Sequence, residues 1–164
     1  MSVSAASLLG WLTASDQELV RLCLIEPYQA SGPGGQKRNR KFSAVRLVHK
    51  ATGIAVTASE SRSQAVNRRT ALRKLRRALA TQVECVGTIP FDDRTEVSPH
   101  ADDYPLWLAK LFSLFRSHNF TLAETAAALD LSTGRLSRLL RKDPEIWKIV
   151  NDERRRRNLP ELRS

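Results

Sequence analysis

The apolar residues Ala65, Leu72, Leu75, Leu79 and Val83 fall seven, three, four and four positions apart, a spacing that lines them along one face of an α-helix. Ser63 is a residue type that caps such a helix, and Gly87 and Pro90 close the segment. The opposite face carries Arg68, Arg69, Arg73, Lys74, Arg76 and Arg77. A helix this amphipathic must cover an apolar surface, and the chain supplies one just upstream. Residues 42–49 alternate, with Ala44, Arg46 and Val48 opposed to Val45 and Leu47. Ala51-Thr52-Gly53 turns the chain, and Ile54-Ala55-Val56-Thr57 returns it as a hairpin partner. Residues 23–28 read as a further strand, preceded by a short helix at 16–22 that opens on the capping box Ser15-Asp16-Gln17-Glu18. The expectation is a small mixed α+β domain, a short sheet packed on a long helix. If Val45 and Leu47 are buried, Arg46 lies on the solvent face.

Between the strands at 23–28 and 42–49 stands Ser31-Gly32-Pro33-Gly34-Gly35-Gln36, then Lys37-Arg38-Asn39-Arg40-Lys41. Glycine lets the backbone approach a ligand with no Cβ in the way. Gln36 cannot titrate, so chemistry here would use backbone N–H groups aimed at a developing negative charge. From 31 to 80 there are thirteen Lys and Arg residues and a single acid, Glu60, within a chain of net charge +10 and pI near 10.4. Such one-sided charge points to a polyanion. Alone, Gly-Gly-Gln followed by cations reads as a turn and a solvated run.

The continuation is more specific. Gly32-Pro33-Gly34-Gly35-Gln36, Asn39, Ser43-Ala44-Val45-Arg46-Leu47, His49, Thr52-Gly53-Ile54, Arg62-Ser63-Gln64 and Asn67 stand in fixed order. Over about residues 20–83 this resembles the catalytic Gly-Gly-Gln domain of class I peptide chain release factors and of small codon-independent ribosome-rescue hydrolases. Lys37-Arg38 replace the family's usual His-Val or similar pair, Gln29 a common Arg, and Ala51 a common Pro. The resemblance implies hydrolysis of the ester between a nascent peptide and P-site tRNA. Gln36 would be catalytic through its backbone N–H, with Gly34 and Gly35 as its geometric support. Lys37, Arg38, Asn39, Arg40, Lys41, Arg46, Arg62, Ser63, Gln64, Asn67 and Arg68 would meet RNA. The implied partners are the ribosome, its rRNA and the peptidyl-tRNA, for a monomer in the cytoplasm. In 164 residues there is no room for the codon-recognition and N-terminal domains of a full release factor, so rescue without codon reading is expected.

No cofactor or metal is expected. His49, His100 and His118 are scattered, and Cys23 and Cys85 form no Cys-x-x-Cys. No run approaches a membrane span, and 1–12 lacks the basic start and long apolar core of a signal peptide. Domain boundaries are expected at 1–87 for the Gly-Gly-Gln domain with its N-terminal extension, 88–104 for an acidic linker, and 105–164 for an all-α module. In the last part Pro105 favours a first helical turn, Thr121-Leu122-Ala123-Glu124 has the form of a capping box, and Asp143-Pro144 opens a final helix. Residues 121–141 resemble a helix-turn-helix, with Asp130 where a turn glycine is common and Arg135 and Arg138 placed to reach nucleic acid. A helical bundle that touches no nucleic acid has the same spacing, and Arg154 to Arg157 could be the exposed end of its last helix. The alternative for the whole chain is a non-catalytic RNA- or DNA-binding regulator.

Overall fold

The computed structural model describes residues 2–28, 43–90 and 94–163. They divide into two units, 1–87 and 88–164. The first contains β1 (Ser2–Ser4), α1 (Ala5–Thr13), α2 (Asp16–Arg21), β2 (Cys23–Tyr28), β3 (Ala44–His49), β4 (Ala55–Ala58), α3 (Gln64–Gln82) and β5 (Glu84–Val86). The main sheet is antiparallel in the order β2-β3-β4, and β1 pairs with β5 in a separate parallel ribbon. The fold is α+β.

Register follows the alternation in β3. Leu47 pairs with Ile25 and Val56, while Arg46 lies between Glu26 and Thr57. Val45, Leu47 and His49 are buried and Arg46 is exposed, so Arg46 takes the solvent face as expected. At the hairpin turn Gly53 adopts φ +70°, a backbone angle that glycine takes without steric cost. Helix α3 packs across β3 and β4 and against α1. Its buried face is Asn67, Ala71, Leu72, Leu75, Leu79 and Ala80, with Val83 buried at the C-cap. Burying Leu72, Leu75 and Leu79 is worth about 2 kcal/mol each, well above the few tenths that surface side-chain pairs give a helix. Packing on the sheet therefore holds α3. Ala65, expected on the buried face, is exposed, because the inward position of the first turn belongs to Asn67. Both α1 and the β1–β5 ribbon lie outside the sequence expectation. In α1, Ser4 caps the helix by accepting from the Ser7 N–H at 3.1 Å, and Leu8 and Leu12 are buried.

The second unit contains α4 (Tyr104–Ser117), α5 (Leu122–Ala127), α6 (Thr133–Arg141) and α7 (Pro144–Arg156). Phe112, Phe115 and Phe120 form its aromatic centre, with Phe115 and Phe120 stacked at 5.2 Å between centroids. The chain reaches Phe120 through two consecutive positive φ values, 48° at Asn119 and 59° at Phe120. Arg154 braces that turn. It is 7% exposed, and its guanidinium donates to the Phe120 carbonyl at 2.5 Å and to the Pro160 carbonyl at 3.0 and 2.8 Å.

Of the basic cluster at the end of α7, Arg154 is thus buried, whereas Arg155 and Arg156 are exposed but paired. Arg155 pairs with Asp152 and Glu161, Arg156 with Glu153, and Arg157 with Glu153 while lying over the Phe120 ring. Residues 94–103, expected as a linker, fold with this unit: Val97 is buried, Glu96 pairs with Lys142, and Arg94 with Asp103. Of the acidic residues that suggested a solvated connection, Glu96 and Asp103 find cations instead. Thr121 makes no side-chain cap; Glu124, the far member of the expected box, lies 3.7 Å from His118. Among the described residues no helix is long and apolar enough to cross a membrane.

Candidate functional site

The expected catalytic and cationic residues Gly34, Gly35, Gln36, Lys37, Arg38, Asn39, Arg40 and Lys41 lie outside the described residues. The frame that carries them is described. Strand β2 ends at Tyr28 and β3 begins at Ala44, and these two are Cα partners in the antiparallel ladder. The Gly-Gly-Gln sequence therefore belongs to a connection whose two ends leave from one rung of the sheet.

Beside that rung stands Asn67. Its side chain is 1% exposed, and its Nδ2 donates to the Ser43 carbonyl at 2.6 Å and the Ser61 carbonyl at 2.8 Å, while Oδ1 accepts from the Ser61 N–H at 2.9 Å. Ser63 caps α3, with Oγ accepting from the Val66 N–H at 3.4 Å and its own N–H bonded to Ser61 Oγ at 3.1 Å. Asn67 follows the cap by four residues, one helical turn, which turns it inward. Expected as an RNA contact, Asn67 is instead a buried clamp, since the loop before α3 needs partners for its backbone groups. The ordered spacing from Arg62 to Asn67 carried that signal, but residue type alone did not separate a clamp from a contact.

The cations of this unit separate into two groups. Arg62, Arg68, Arg69 and Arg73 are exposed, and no carboxylate pairs with them among the described residues. Ser63 and Gln64 are exposed at the start of α3. The engaged group begins with Lys74, which pairs with Glu60 and donates to the Thr57 carbonyl at 3.1 Å. That contact, foremost, holds the Glu60 carboxyl below its ordinary range. Arg76 bonds Asp16 at 2.8 Å and the Ala14 carbonyl at 2.7 Å. Arg46, on the sheet, forms an exposed pair with Glu26 at 3.3 Å. The helix face that is uniformly cationic in sequence is therefore exposed at Arg68, Arg69 and Arg73 and fastened internally at Lys74 and Arg76.

Neither buried titratable group beside the sheet is arranged for catalysis. His49 is fully buried, with Nδ1 2.9 Å from Thr52 Oγ1 and its ring edge-on to Trp11 at 4.6 Å. Burial lowers its pKa. Cys23 Sγ donates to the Leu19 carbonyl at 3.2 Å, and burial raises its pKa. Among the described residues no group of His, Cys, Asp and Glu is placed to hold a metal.

In the second unit, Ser132 caps α6 by accepting from the Arg135 N–H at 3.2 Å. Leu136, Leu139 and Leu140 face the core, whereas Arg135 and Arg138 are exposed. Asp130 adopts φ 53° in the preceding turn, so it takes the left-handed conformation for which glycine is common.

Residues 20–88 match the family model described as the RF-1 domain. Among similar curated proteins are peptide chain release factor 1 of Mycoplasma pneumoniae, 51% identical over 55 residues (34% of this chain, 15% of the relative), and peptide chain release factor 2 of Lactiplantibacillus plantarum, 50% identical over 60 residues (37% and 16%). Peptide chain release factor 1 of Leifsonia xyli is 42% identical over 86 residues, which is 49% of this chain and 24% of that protein. The chain thus spans a quarter or less of the length of these relatives. No solved structure gives a significant match. Over residues 20–88, with the β2–β3 connection inside them, the chain is similar to the RF-1 domain of peptide chain release factors.

Proposed function

We propose that this chain hydrolyses the ester of peptidyl-tRNA on the ribosome. The observation that carries the reading is that the RF-1 match, residues 20–88, includes Gly34-Gly35-Gln36. Water adds to the ester carbonyl, the tetrahedral oxyanion collapses, and the bond to the tRNA ribose oxygen breaks; that oxygen takes the proton lost by water. The demanding charge is the oxyanion, and a fixed backbone N–H is well suited to it. Gln36 supplies that donor in this reading, with Gly34 and Gly35 supporting its backbone. Lys37, Arg38, Arg40 and Lys41, together with the exposed Arg62 and Arg68, bind RNA phosphates.

We further propose that the reaction rescues stalled ribosomes without reading a codon. Support comes from the helical unit that begins where the family match ends, at residue 88. Its exposed Arg135 and Arg138 suit phosphate contact, so it would position the enzyme by binding RNA. The test is peptide release from ribosomes with a filled P site and, in the A site, no codon, a stop codon or a sense codon. Release from the codon-free complex is expected. Release confined to stop codons overturns the rescue reading. Binding without release on every complex favours the non-catalytic RNA- or DNA-binding alternative.

A further inference from the structure

We infer that Asn67 is a positioning residue for peptide release, acting by fixing the exit of the β2–β3 connection; this rests on the release reading above. The sheet itself fixes one rung, Tyr28 opposite Ala44. The Ser43 carbonyl lies one peptide before that rung, and Asn67 Nδ2 holds it at 2.6 Å. Ser43 is seven residues after Gln36 in the chain. The same amide grips both the N–H and the carbonyl of Ser61, at 2.9 and 2.8 Å. One buried side chain therefore ties together the strand stem, the loop after β4 and, through its own Cα, helix α3.

The chemistry of the grip is selective. Two carbonyls and one N–H must be met from a single position, which requires two donors and an acceptor on a short stem. Asparagine provides that set, whereas aspartate would set a second acceptor against the carbonyls. With its side chain 1% exposed, Asn67 has no face left for RNA. Its influence on the reaction must pass through the backbone it holds, and a misplacement of about 1 Å can cost on the order of 10²-fold in rate.

The test compares Asn67→Ala, Asn67→Asp and a core control, Leu79→Val, in the full chain, at temperatures where circular dichroism shows each folded. Single-turnover release and amide hydrogen exchange are both measured. Expected for both Asn67 variants is a drop in kcat of roughly ten- to a hundred-fold with KM near that of the parent, and faster exchange at residues 43–45 and 61. Leu79→Val should keep kcat at the parent level even where its melting temperature is equally lowered. A kcat within twofold of the parent overturns the inference, as does a loss shared by the control or confined to KM. Unchanged exchange at residues 43–45 overturns the anchor itself. Should the parent release no peptide, the release reading and the positioning role fall together. The exchange profile then still decides whether Asn67 anchors the stem, which keeps the two failures distinct.

Discussion

His49 sits at the end of β3 with no solvent exposure and with its Nε2 unbonded among the described residues. Protonation there would create a buried cation with no carboxylate to meet it. Burial places its folded-state pKa below the unfolded value of about 6.5, so the unfolded chain binds the extra proton first. The sign is fixed: His49 favours the fold above roughly pH 6.5, and that contribution is lost as pH falls from there toward the folded pKa. Glu60 and Glu96 act in a lower window. Lys74 and Lys142 depress their pKa values, so their contribution disappears only below about 4.5. Melting temperatures of the parent and His49→Gln between about pH 7.5 and 5 should converge as the pH drops. Parallel curves would remove His49 as the group responsible. The thiols give a second check. Cys23 is buried with a raised pKa, whereas Cys85 is half-exposed, and the thiolate is the reactive form. A thiol reagent should label Cys85 in the folded chain and reach Cys23 at the rate of unfolding; fast labelling of Cys23 in Cys85→Ser would contradict the packing of β2. At Gln36 the proposed donor is the backbone N–H, so Gln36→Pro should lose on the order of 10²–10³ in release rate, whereas Gln36→Ala keeps the N–H. Equal rates in both variants would exclude that donor.

At the scale of the element, the cations of α3 divide into exposed groups and groups bonded within the fold. Arg69→Ala and Arg73→Ala should leave the melting temperature unchanged and weaken ribosome binding. For every phosphate that a variant no longer neutralises, the slope of log affinity against log salt should flatten by about 0.7–0.9. Arg76→Ala should do the reverse. It removes bonds to Asp16 and to the Ala14 carbonyl, costing about 1 kcal/mol because Asp16 is half in solvent, and leaves the salt slope alone. A binding titration beside a melting curve separates the two. This division also marks what the sequence could carry. Periodicity placed α3 and the β3–β4 hairpin, because the apolar faces of both are long enough to repeat. It could not separate Arg69 from Arg76, since both are outward by spacing and only the fold brings Asp16 to one of them. The β1–β5 ribbon was illegible for another reason: strands of three residues leave no alternation to read. Asn67 was legible as part of an ordered pattern, but its burial was not. Its role depends on Ser43, which lies 24 residues away.

For the whole molecule, the division at 87/88 separates the RF-1 unit from a helical unit with its own aromatic core, and we propose that only the first takes part in the chemical step. Each unit is small, so each alone should be only marginally stable. Leu47, Leu72, Leu75 and Leu79 give the first a continuous buried centre, and Phe112, Phe115, Phe120 and Leu136 do the same for the second. A chain ending at Gly87 should therefore unfold cooperatively. Given enough of it to saturate the ribosome, it should release peptide near the rate of the full chain. What it should lose is affinity: the exposed Arg135 and Arg138 of α6 would no longer neutralise phosphates, and the salt slope should fall by up to about two. Arg135→Ala with Arg138→Ala in the full chain should reproduce that flattening without truncation. If the short chain binds with unchanged affinity and slope, the helical unit does not dock on RNA. If it binds normally but its saturated rate collapses, the helices help to build the site, and the chemistry does not belong to residues 1–87 alone.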